Sequence, residues 1–305
     1  MNKVTDELLR LVADFKGEFT GAYNIREDGG CAGRQSTKNI KIESKTDKPG
    51  IDIIIRPGTK KQSVHIPVII SEAGLKEVVY NDFFIGDDCD VVIVAGCGIH
   101  NCGGGDSEHD GVHQFFVGKN ARVRYIEKHY GEGDGRGKRL MNPTTIVHMQ
   151  EGSYMEMETT QIAGIDDTLR KTTADLAANA TLVVHEKVMT TGDQDATSDF
   201  TADLNGEGSS CNIVSRTVAR DNSRQHFISR LNGNAPCSGH TECDSIIMDH
   251  AHVLATPQLE ASNIDASLIH EAAIGKIAGE QLIKLMTLGL TEQEAEEQII
   301  NGFLK

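Results

Sequence analysis

Short segments of alternating apolar and polar residues, separated by turns of Gly, Asn, Asp or Ser, fill the middle of this chain. Such alternation is typical of β-strands that bury one face. Similar turns recur at Asn120, Gly152, Asn179, Gly208 and Gly233, at intervals of about 25 to 32 residues. A recurrence of this length indicates a β-solenoid, in which stacked coils bury their faces against one another. The alternative is a β-sandwich with Greek-key turns.

The two ends of the chain carry helical periodicity instead. Residues 1–15 place apolar side chains on one face of a short helix, and residues 267–303 predict two helices separated at Gly289. Thr291 and Glu294 form the capping-box pattern that begins the second of these. The predicted fold class is therefore all-β with helical ends. Its parts are an N-terminal helix and lead-in (1–50), a β-solenoid core (51–262) and a C-terminal helical region (263–305).

The chain has 30 basic and 45 acidic residues, which give a net charge of −15. A field of this sign repels nucleic-acid phosphates and anionic lipid headgroups. No apolar run approaches the ~20 residues of a membrane span, and the first residues lack the apolar stretch of a secretory signal. We therefore expect a cytoplasmic protein with no nucleic-acid or membrane partner. Its seven scattered cysteines are expected to stay free in a reducing cytosol.

The standard signatures of enzymes are missing from the sequence. The glycine-rich segment 131–139 differs from a phosphate-binding loop, because Glu132 stands at the first glycine position and Arg139 follows the lysine. There is no HExxH, GxSxG or CxxC motif. A carbohydrate-active β-helix enzyme would line its groove with acidic and aromatic residues, and this chain has no Trp and five Tyr. We expect that the chain is not itself an enzyme.

A dense set of candidate metal ligands occupies the glycine-rich segment 96–113. These residues are Cys97, His100, Cys102, Asp106, Glu108, His109, Asp110 and His113. Thiolates and imidazoles close together suit zinc, iron or copper. The spacing of four residues between the two cysteines matches no standard zinc finger, however. The alternative is a solvated loop that leaves a strand in which Cys97 is buried.

Two further groups of candidate ligands lie towards the C-terminus. The first comprises Cys237, His240, Cys243, His250 and His252. Structural cysteines on inward-facing strand positions would give a similar pattern. The second is His270 with Glu271, predicted at the start of the first C-terminal helix. An imidazole beside a carboxylate suits iron, and the alternative is a carboxylate that stabilises the helix N-terminus.

Several segments resemble the SufB/SufD family, the subunits of the Suf iron–sulfur cluster assembly machine that pair with the ATPase SufC. CDSIIM at 243–248 and the segment 257–303, with its HEA, EQL and NGF sequences, resemble the C-terminal half of the family. Upstream, VAGCGIH at 94–100 and GKNARVRYIEKHYGEG at 118–133 resemble its glycine–cysteine segment and the strand that follows. The likeness extends over residues 80–303.

The resemblance implies a right-handed parallel β-helix flanked by helical ends, in agreement with the recurring turns. It also implies that the C-terminal helices bind a SufC-type ATPase, so that ATPase activity belongs to the partner. The residues expected to contact this ATPase are Ile277, Leu282, Leu285 and Met286.

The resemblance implies roles for single residues as well. Cys97 matches a cysteine that accepts sulfur derived from a cysteine desulfurase. Cys243 matches the SufB cysteine that takes this sulfur and holds the nascent, transient iron–sulfur cluster. His270 and Glu271 match the histidine and glutamate that act with it on iron. Additional candidate iron ligands are His100, Cys102 and His240.

The presence of Cys243 makes the chain more similar to SufB than to SufD. The resemblance thus implies a scaffold that accepts sulfur and iron at a dimer interface and passes the cluster on. The alternative is a SufD-like structural subunit that binds the ATPase and holds no cluster. The N-terminal CxxCxxxC-type cysteines of larger SufB proteins are absent, and Ile269 replaces the second acidic residue before the histidine. The chain therefore resembles the short, minimal members, as a homodimer or paired with a SufD-like paralogue.

Overall fold

The computed structural model describes residues 3–13, 15, 17 and 19–305, without the side chain of Lys3. Most of these residues form β-strands in two large sheets, called sheet A and sheet B below. Together the sheets make a parallel β-solenoid of about eight turns, with short helices at both ends of the described chain. Met1, Asn2 and Asp14, which belong to the predicted N-terminal helix, lie outside the described residues.

The described part of sheet A contains eleven strands. They are β1 (Ala22–Glu27), β2 (Gly30–Gln35), β5 (Lys60–His65), β6 (Val68–Ile70), β8 (Asp90–His100), β10 (Arg122–Glu132), β13 (Tyr154–Ala163), β15 (Thr181–Thr190), β17 (Ser210–Ala219), β19 (Ser238–Ile247) and β21 (Ser267–Gly275). The described part of sheet B contains ten. They are β3 (Ile40–Ser44), β4 (Gly50–Ile55), β7 (Lys76–Ile85), β9 (Ser107–Val117), β11 (Arg139–Met141), β12 (Thr144–Met149), β14 (Asp167–Leu176), β16 (Asp195–Leu204), β18 (Arg224–Gly233) and β20 (His252–Ala261).

From β7 onwards the chain alternates between the sheets, with β11 and β12 sharing one coil of sheet B. Each strand pairs in parallel with the strand one coil later, as in β15 and β17, where Thr181 lies opposite Ser210 and Thr190 opposite Ala219. Among the described strands, antiparallel pairing is confined to β1 with β2 and β3 with β4. The predicted solenoid is therefore confirmed, and the sandwich alternative is wrong because Greek-key sheets are antiparallel.

Four of the five recurring turns stack in neighbouring coils. Asn120, Gly152, Asn179 and Gly208 all adopt left-handed backbone, with φ of 53°, 69°, 55° and 73°. Asn and Gly tolerate this conformation better than other residues. A Cβ at Gly208 would lie 2.4 Å from the Asn179 side-chain oxygen, so glycine leaves room for the amide of the preceding coil. Gly233, the fifth, instead ends strand β18 and is not a turn of this kind.

The space between the sheets is filled mainly by aliphatic and aromatic side chains. Phe83 and Phe115, from successive coils of sheet B, stack with their ring centroids 4.4 Å apart, and the Tyr125 ring of sheet A packs edge-on against Phe115. Fully burying a side chain of this size contributes about 1.5–3 kcal/mol. Because each coil buries its apolar face only against its neighbours, the core extends along the whole solenoid.

Helix α1 (Lys3–Ala13) covers the outer face of sheet A near β8 and β10. Leu8 and Val12 are buried, in agreement with the predicted apolar face, and Leu9 is buried with them, whereas Leu11 is exposed. The helix approaches the sheet closely because the strand residue beneath it is Gly96. A Cβ at that position would lie 2.1 Å from the Val12 carbonyl oxygen.

The C-terminal region differs from its prediction. Residues 267–275, with His270 and Glu271, form strand β21 rather than the start of a helix, because the free edge of β19 pairs with them in register. The first helix is therefore shorter than predicted, α2 (Gly279–Met286), whereas the second, α3 (Glu292–Phe303), lies where it was predicted. The capping box is confirmed, since the Glu294 amide donates to Thr291 Oγ1 and the Thr291 amide donates to Glu294 Oε2. Within the described chain no helix is long and apolar enough to cross a membrane.

We expect the Gly96→Ala substitution to loosen α1 from sheet A, because the new Cβ cannot share the space of the Val12 carbonyl. Overpacking of this kind costs ~1–3 kcal/mol. The urea midpoint should fall and protease cleavage within α1 should accelerate. Gly104→Ala is the matched control, because a Cβ there meets nothing within 4 Å. Equal midpoints for the two variants would contradict the close approach of helix and sheet.

Candidate functional site

Two adjacent rows of inward-facing side chains on sheet A are almost entirely polar. The first row, in register from β10 to β19, is Glu127, Thr159, Glu186, Ser215 and Cys243. The second row, from β8 to β19, is Cys97, His129, Gln161, Val188, Thr217 and Ser245. Every one of these side chains is buried. We call them the polar rows; they cross the interior of the solenoid and have Cys97 at one end and Cys243 at the other.

Cys97 lies at the early end of the polar rows, on β8. Its side chain is 4% exposed and packs among apolar neighbours that include Val68 and Ile99. Burial raises the pKa of this thiol well above its usual range, and the negative charges of Glu127 and Glu77 raise it further. The thiol is therefore neutral and is shielded from solvent.

The buried charge of Glu127 is balanced from the opposite sheet. Arg170 of β14 forms an ion pair with Glu127, and its Nη2 donates to His129 Nδ1 at 3.1 Å. The Tyr125 hydroxyl donates to Glu127 Oε1 at 2.9 Å and contacts His113 Nδ1 at 2.7 Å. Burial alone would raise the pKa of Glu127, but the Arg170 charge brings it well below the usual range. Glu127 is thus an anion held in place inside the solenoid.

The middle of the polar rows is built around Glu186. Its two carboxylate oxygens accept hydrogen bonds of 2.6 Å from Ser198 of sheet B and from Ser215. The Arg170 Nε lies 3.7 Å from the same carboxylate, so Arg170 bridges Glu127 and Glu186. Thr159, between the two glutamates, has a buried hydroxyl with no hydrogen-bond partner among the described residues. A buried hydroxyl without a hydrogen-bond partner is unfavourable.

Cys243 ends the polar rows on β19 and is 0% exposed. Burial raises the pKa of this thiol to about 11, although a hydrogen bond with Ser245, at 3.8 Å, opposes the shift. Ser245 in turn shares a hydrogen bond of 2.8 Å with Thr217. The Cys243 thiol is therefore connected to both rows. Like the Cys97 thiol, it is protonated and buried.

Strand β21, the last of sheet A, places the predicted iron ligands His270 and Glu271 on opposite faces of the sheet. In register with β19, Ala272 lies opposite Cys243, His270 opposite Thr241, and Glu271 opposite Glu242. The His270 ring contacts the buried Thr241 hydroxyl at 3.4 Å, on the inner side, whereas the Glu271 side chain is 68% exposed on the outer side. The chain by itself therefore brings Cys243 and His270 to one face but does not add Glu271 to them.

On the outer face Glu271 joins a different set of ligands. One ligand atom from each of His240, Glu242 and Glu271 lies within 4.8 Å of the others. His240 Nδ1 is paired with the Asn212 amide oxygen at 2.8 Å, which leaves Nε2 directed at Glu271, 3.7 Å away. A histidine fixed through its second nitrogen is typical of metal ligands. His240 and Glu271 were predicted from the sequence, and Glu242 was missed because its proximity depends on the pairing of β19 with β21.

The candidate ligands of the segment 96–113 do not form one cluster. Cys97, His109 and His113 are buried inside the solenoid, whereas His100, the last residue of β8, is half-buried and Cys102 is exposed in the loop that follows. The later candidates are also dispersed, since Cys237 precedes β19, His250 lies in a turn and His252 begins β20. In the part of the chain that is described, the His240 group alone brings three potential metal donors together.

The residues predicted to contact an ATPase lie at the C-terminal end. Leu282, Leu285 and Met286 are on α2, and Ile277 precedes that helix. Helix α2 has no buried residue, and Ile283 and Leu288 beside the predicted residues are 63% and 76% exposed. This part of the chain therefore presents an apolar surface that the rest of the described molecule does not cover.

Comparison with known proteins places these features in a family. Residues 83–303 match the family described as "SUF system FeS cluster assembly, SufBD core domain". An iron–sulfur cluster assembly SufBD family protein of Methanocaldococcus jannaschii is 30% identical over 288 residues, which are 88% of this chain and 86% of the relative.

Two further relatives agree with this match. A SufBD family protein of Archaeoglobus fulgidus is 31% identical over 270 residues, which are 85% of this chain and 69% of the relative. The iron–sulfur cluster assembly protein SufB of Bacillus subtilis is 34% identical over 100 residues, which are 32% of this chain and 22% of that protein. The predicted resemblance is confirmed, and the chain belongs to the SufBD family of iron–sulfur cluster assembly proteins.

Proposed function

We propose that this chain is a scaffold on which an iron–sulfur cluster is built and from which it is passed on. The observation that carries the proposal is the pair of polar rows that joins Cys97 to Cys243 inside the solenoid. A solenoid interior needs no charged residues for stability, and buried ion pairs are weak contributors to it. The buried Glu127, Arg170 and Glu186 therefore support a function, which we assign to sulfur handling.

In this proposal sulfur is received towards the Cys97 end and collected at Cys243. The two cysteines are five strands apart on sheet A, roughly 24 Å at the usual strand spacing. Hydroxyl, imidazole and guanidinium groups between them form a polar path along which a small sulfur species can be hydrogen-bonded. Both end thiols are buried, so sulfur held there is shielded from oxidants and solvent. The sulfur itself comes from a donor supplied by a cysteine desulfurase.

Iron is held at the last coil, in ligands weak enough to release the product. The imidazole of His240 and the carboxylates of Glu242 and Glu271 suit iron(II). A site of four thiolates would retain its cluster. With sulfur arriving at Cys243 from inside and iron bound outside on the same pair of strands, the cluster assembles around β19 and β21, where His270 also lies.

Completion of this site requires a second chain. Strands β20 and β21 end their sheets, and in the described chain their outer edges have no neighbouring strand. Unpaired strand edges associate readily. A second copy, or a SufD-like paralogue, docked on these edges covers the exposed face of β21 and brings Cys243, His270 and Glu271 towards their counterparts.

A SufC-type ATPase bound on the C-terminal helices supplies the movement. The chain carries no nucleotide-binding loop, so ATP is hydrolysed by the partner. Because Cys243 is fully buried, cluster assembly requires that the interface open and expose it. Binding energy from ATP on the partner can favour such an opened state.

Cys243→Ser should reduce the iron and sulfide incorporated per chain by about tenfold or more, since it removes the thiolate that would bind both the incoming sulfur and the iron. The measurement is anaerobic reconstitution with iron and inorganic sulfide, followed by metal and sulfide analysis. Cys211→Ser is the matched control, because Cys211 is also buried on sheet A but lies outside the polar rows. Full incorporation by Cys243→Ser would contradict the assignment of Cys243 as the cluster ligand, and failure of the unmodified chain to incorporate iron and sulfide would leave the SufD-like role.

The double substitution Leu282→Asp with Leu285→Asp should weaken binding of a purified SufC-type ATPase by about tenfold or more, because truncating central apolar contacts costs ≥ ~2 kcal/mol. Isothermal titration of the full chain measures this. Ile264→Asp, which changes a 97% exposed residue outside the helices, should leave the affinity unchanged. Equal affinity of the α2 variant and the unmodified chain would place the ATPase elsewhere.

A further inference from the structure

Cys31 and Cys102 are the exposed thiols among the seven cysteines, and their surroundings differ. The Cys102 Sγ lies 2.9 Å from Nε2 of His100, whose Nδ1 lies 3.0 Å from the Glu132 carboxylate. The described partner of Cys31 is a neutral amide oxygen, that of Asn24, at 3.6 Å. Cys102 therefore has a base beside it, and that base is oriented by a carboxylate.

The order of these contacts keeps the Glu132 carboxylate from binding one metal ion directly together with Cys102 and His100. Cys102 and Glu132 contact different nitrogens of the His100 ring, so the ring stands between them. A thiol, an imidazole and a carboxylate in this order form the arrangement that activates a nucleophile. With Nδ1–H donating to Glu132, the lone pair of Nε2 is directed at the Cys102 thiol.

The fold holds the three residues in place. His100 and Glu132 are opposite each other in the parallel register of β8 and β10. The buried Asn101 fixes the loop that carries Cys102, because its amide donates to the Gly105 carbonyl at 2.8 Å and accepts from the Gly103 amide at 2.9 Å. The glycine-rich loop of the next coil packs directly against it, since the Gly135 amide donates to the Asn101 carbonyl at 3.0 Å.

We propose that Cys102, with His100 as its base and Glu132 as the residue that positions His100, is the surface thiol that accepts sulfur from the persulfide of a donor protein. This inference rests on the proposed scaffold function and adds to it the residue at which sulfur first reaches the chain. Cys97, the residue to which the family resemblance assigns acceptance, is buried and its thiol is neutral, so a donor protein cannot reach it in the closed chain.

The transfer is a thiol–persulfide exchange without net oxidation. His100 Nε2 takes the proton of the Cys102 thiol, and the thiolate attacks the terminal sulfur of the donor persulfide. A sulfur–sulfur bond forms at Cys102 and the sulfur–sulfur bond of the donor breaks, with the electron pair leaving on the inner donor sulfur. That sulfur receives the proton from His100. The products are a Cys102 persulfide and a donor thiol.

The first test is the rate at which each exposed thiol of the full chain is alkylated by iodoacetamide, followed peptide by peptide in a mass spectrometer. Cys102 should react at least about tenfold faster than Cys31, and His100→Gln should remove this advantage. Glu132→Gln should give an intermediate rate, and Cys31→Ser should leave the Cys102 rate unchanged. Equal rates for Cys31 and Cys102, or an unchanged rate in His100→Gln, would overturn the proposal.

The second test supplies glutathione persulfide as the sulfur donor under anaerobic conditions. The mass of one additional sulfur atom should be found first on the Cys102 peptide, and Cys102→Ser should lower total sulfur uptake at least about tenfold. First labelling of Cys31 or Cys97 would overturn the proposal.

Reconstitution with iron and inorganic sulfide separates this inference from the scaffold function. It bypasses sulfur acceptance, so Cys102→Ser should incorporate as much iron and sulfide as the unmodified chain. Loss of incorporation in Cys102→Ser would contradict the assigned role, since Cys102 would then act in the cluster site. Failure of the unmodified chain to incorporate a cluster would instead overturn the scaffold function, while the reactivity of Cys102 would stand.

Discussion

The parallel register between successive coils of sheet A is the constraint on which the polar rows and the ligand group of the last coil depend. Because residues one coil apart lie directly opposite each other, a polar residue repeated at the same position becomes a continuous row. A shift of one residue would exchange the inner and outer faces. It would turn Cys243 outwards and carry Glu242 into the core. The turns occupied by Asn120, Gly152, Asn179 and Gly208 help to hold this register.

The same alternation separates two chemistries on one strand. Along β19, Thr241 and Cys243 face the interior, whereas His240 and Glu242 face outwards beside Glu271. Under the proposed function, sulfur would thus be handled on the inner face of the sheet and iron on its outer face, and the two would meet only at the last coil. The buried Glu127–Arg170–Glu186 group has a large desolvation cost, and its pairing and hydroxyl donors offset much of that cost.

Much of the fold could be predicted from the sequence because it depends on local patterns. Strand alternation, the recurring turns, the apolar face of α1 and the capping box at Thr291 are all short-range signals. The strand β21 could not be predicted, since its apolar run suits a helix equally well. It becomes a strand because the free edge of β19 offers a partner for backbone hydrogen bonds. Arg170 and Glu186 were missed for a related reason: their positions beside Glu127 depend on a register set by coils of unequal length. The residue types alone do not indicate that register.

The proposed interior route of sulfur from Cys97 to Cys243 is tested most directly by following sulfur on individual cysteines. The full chain, with a SufC-type ATPase present, is given a persulfide donor, and the sulfur bound to each cysteine is followed over time by mass spectrometry. If sulfur travels along the polar rows, it should reach Cys243 in the unmodified chain and not in Cys97→Ser. Arrival of sulfur at Cys243 at the same rate in both chains would show that it enters the last coil from outside.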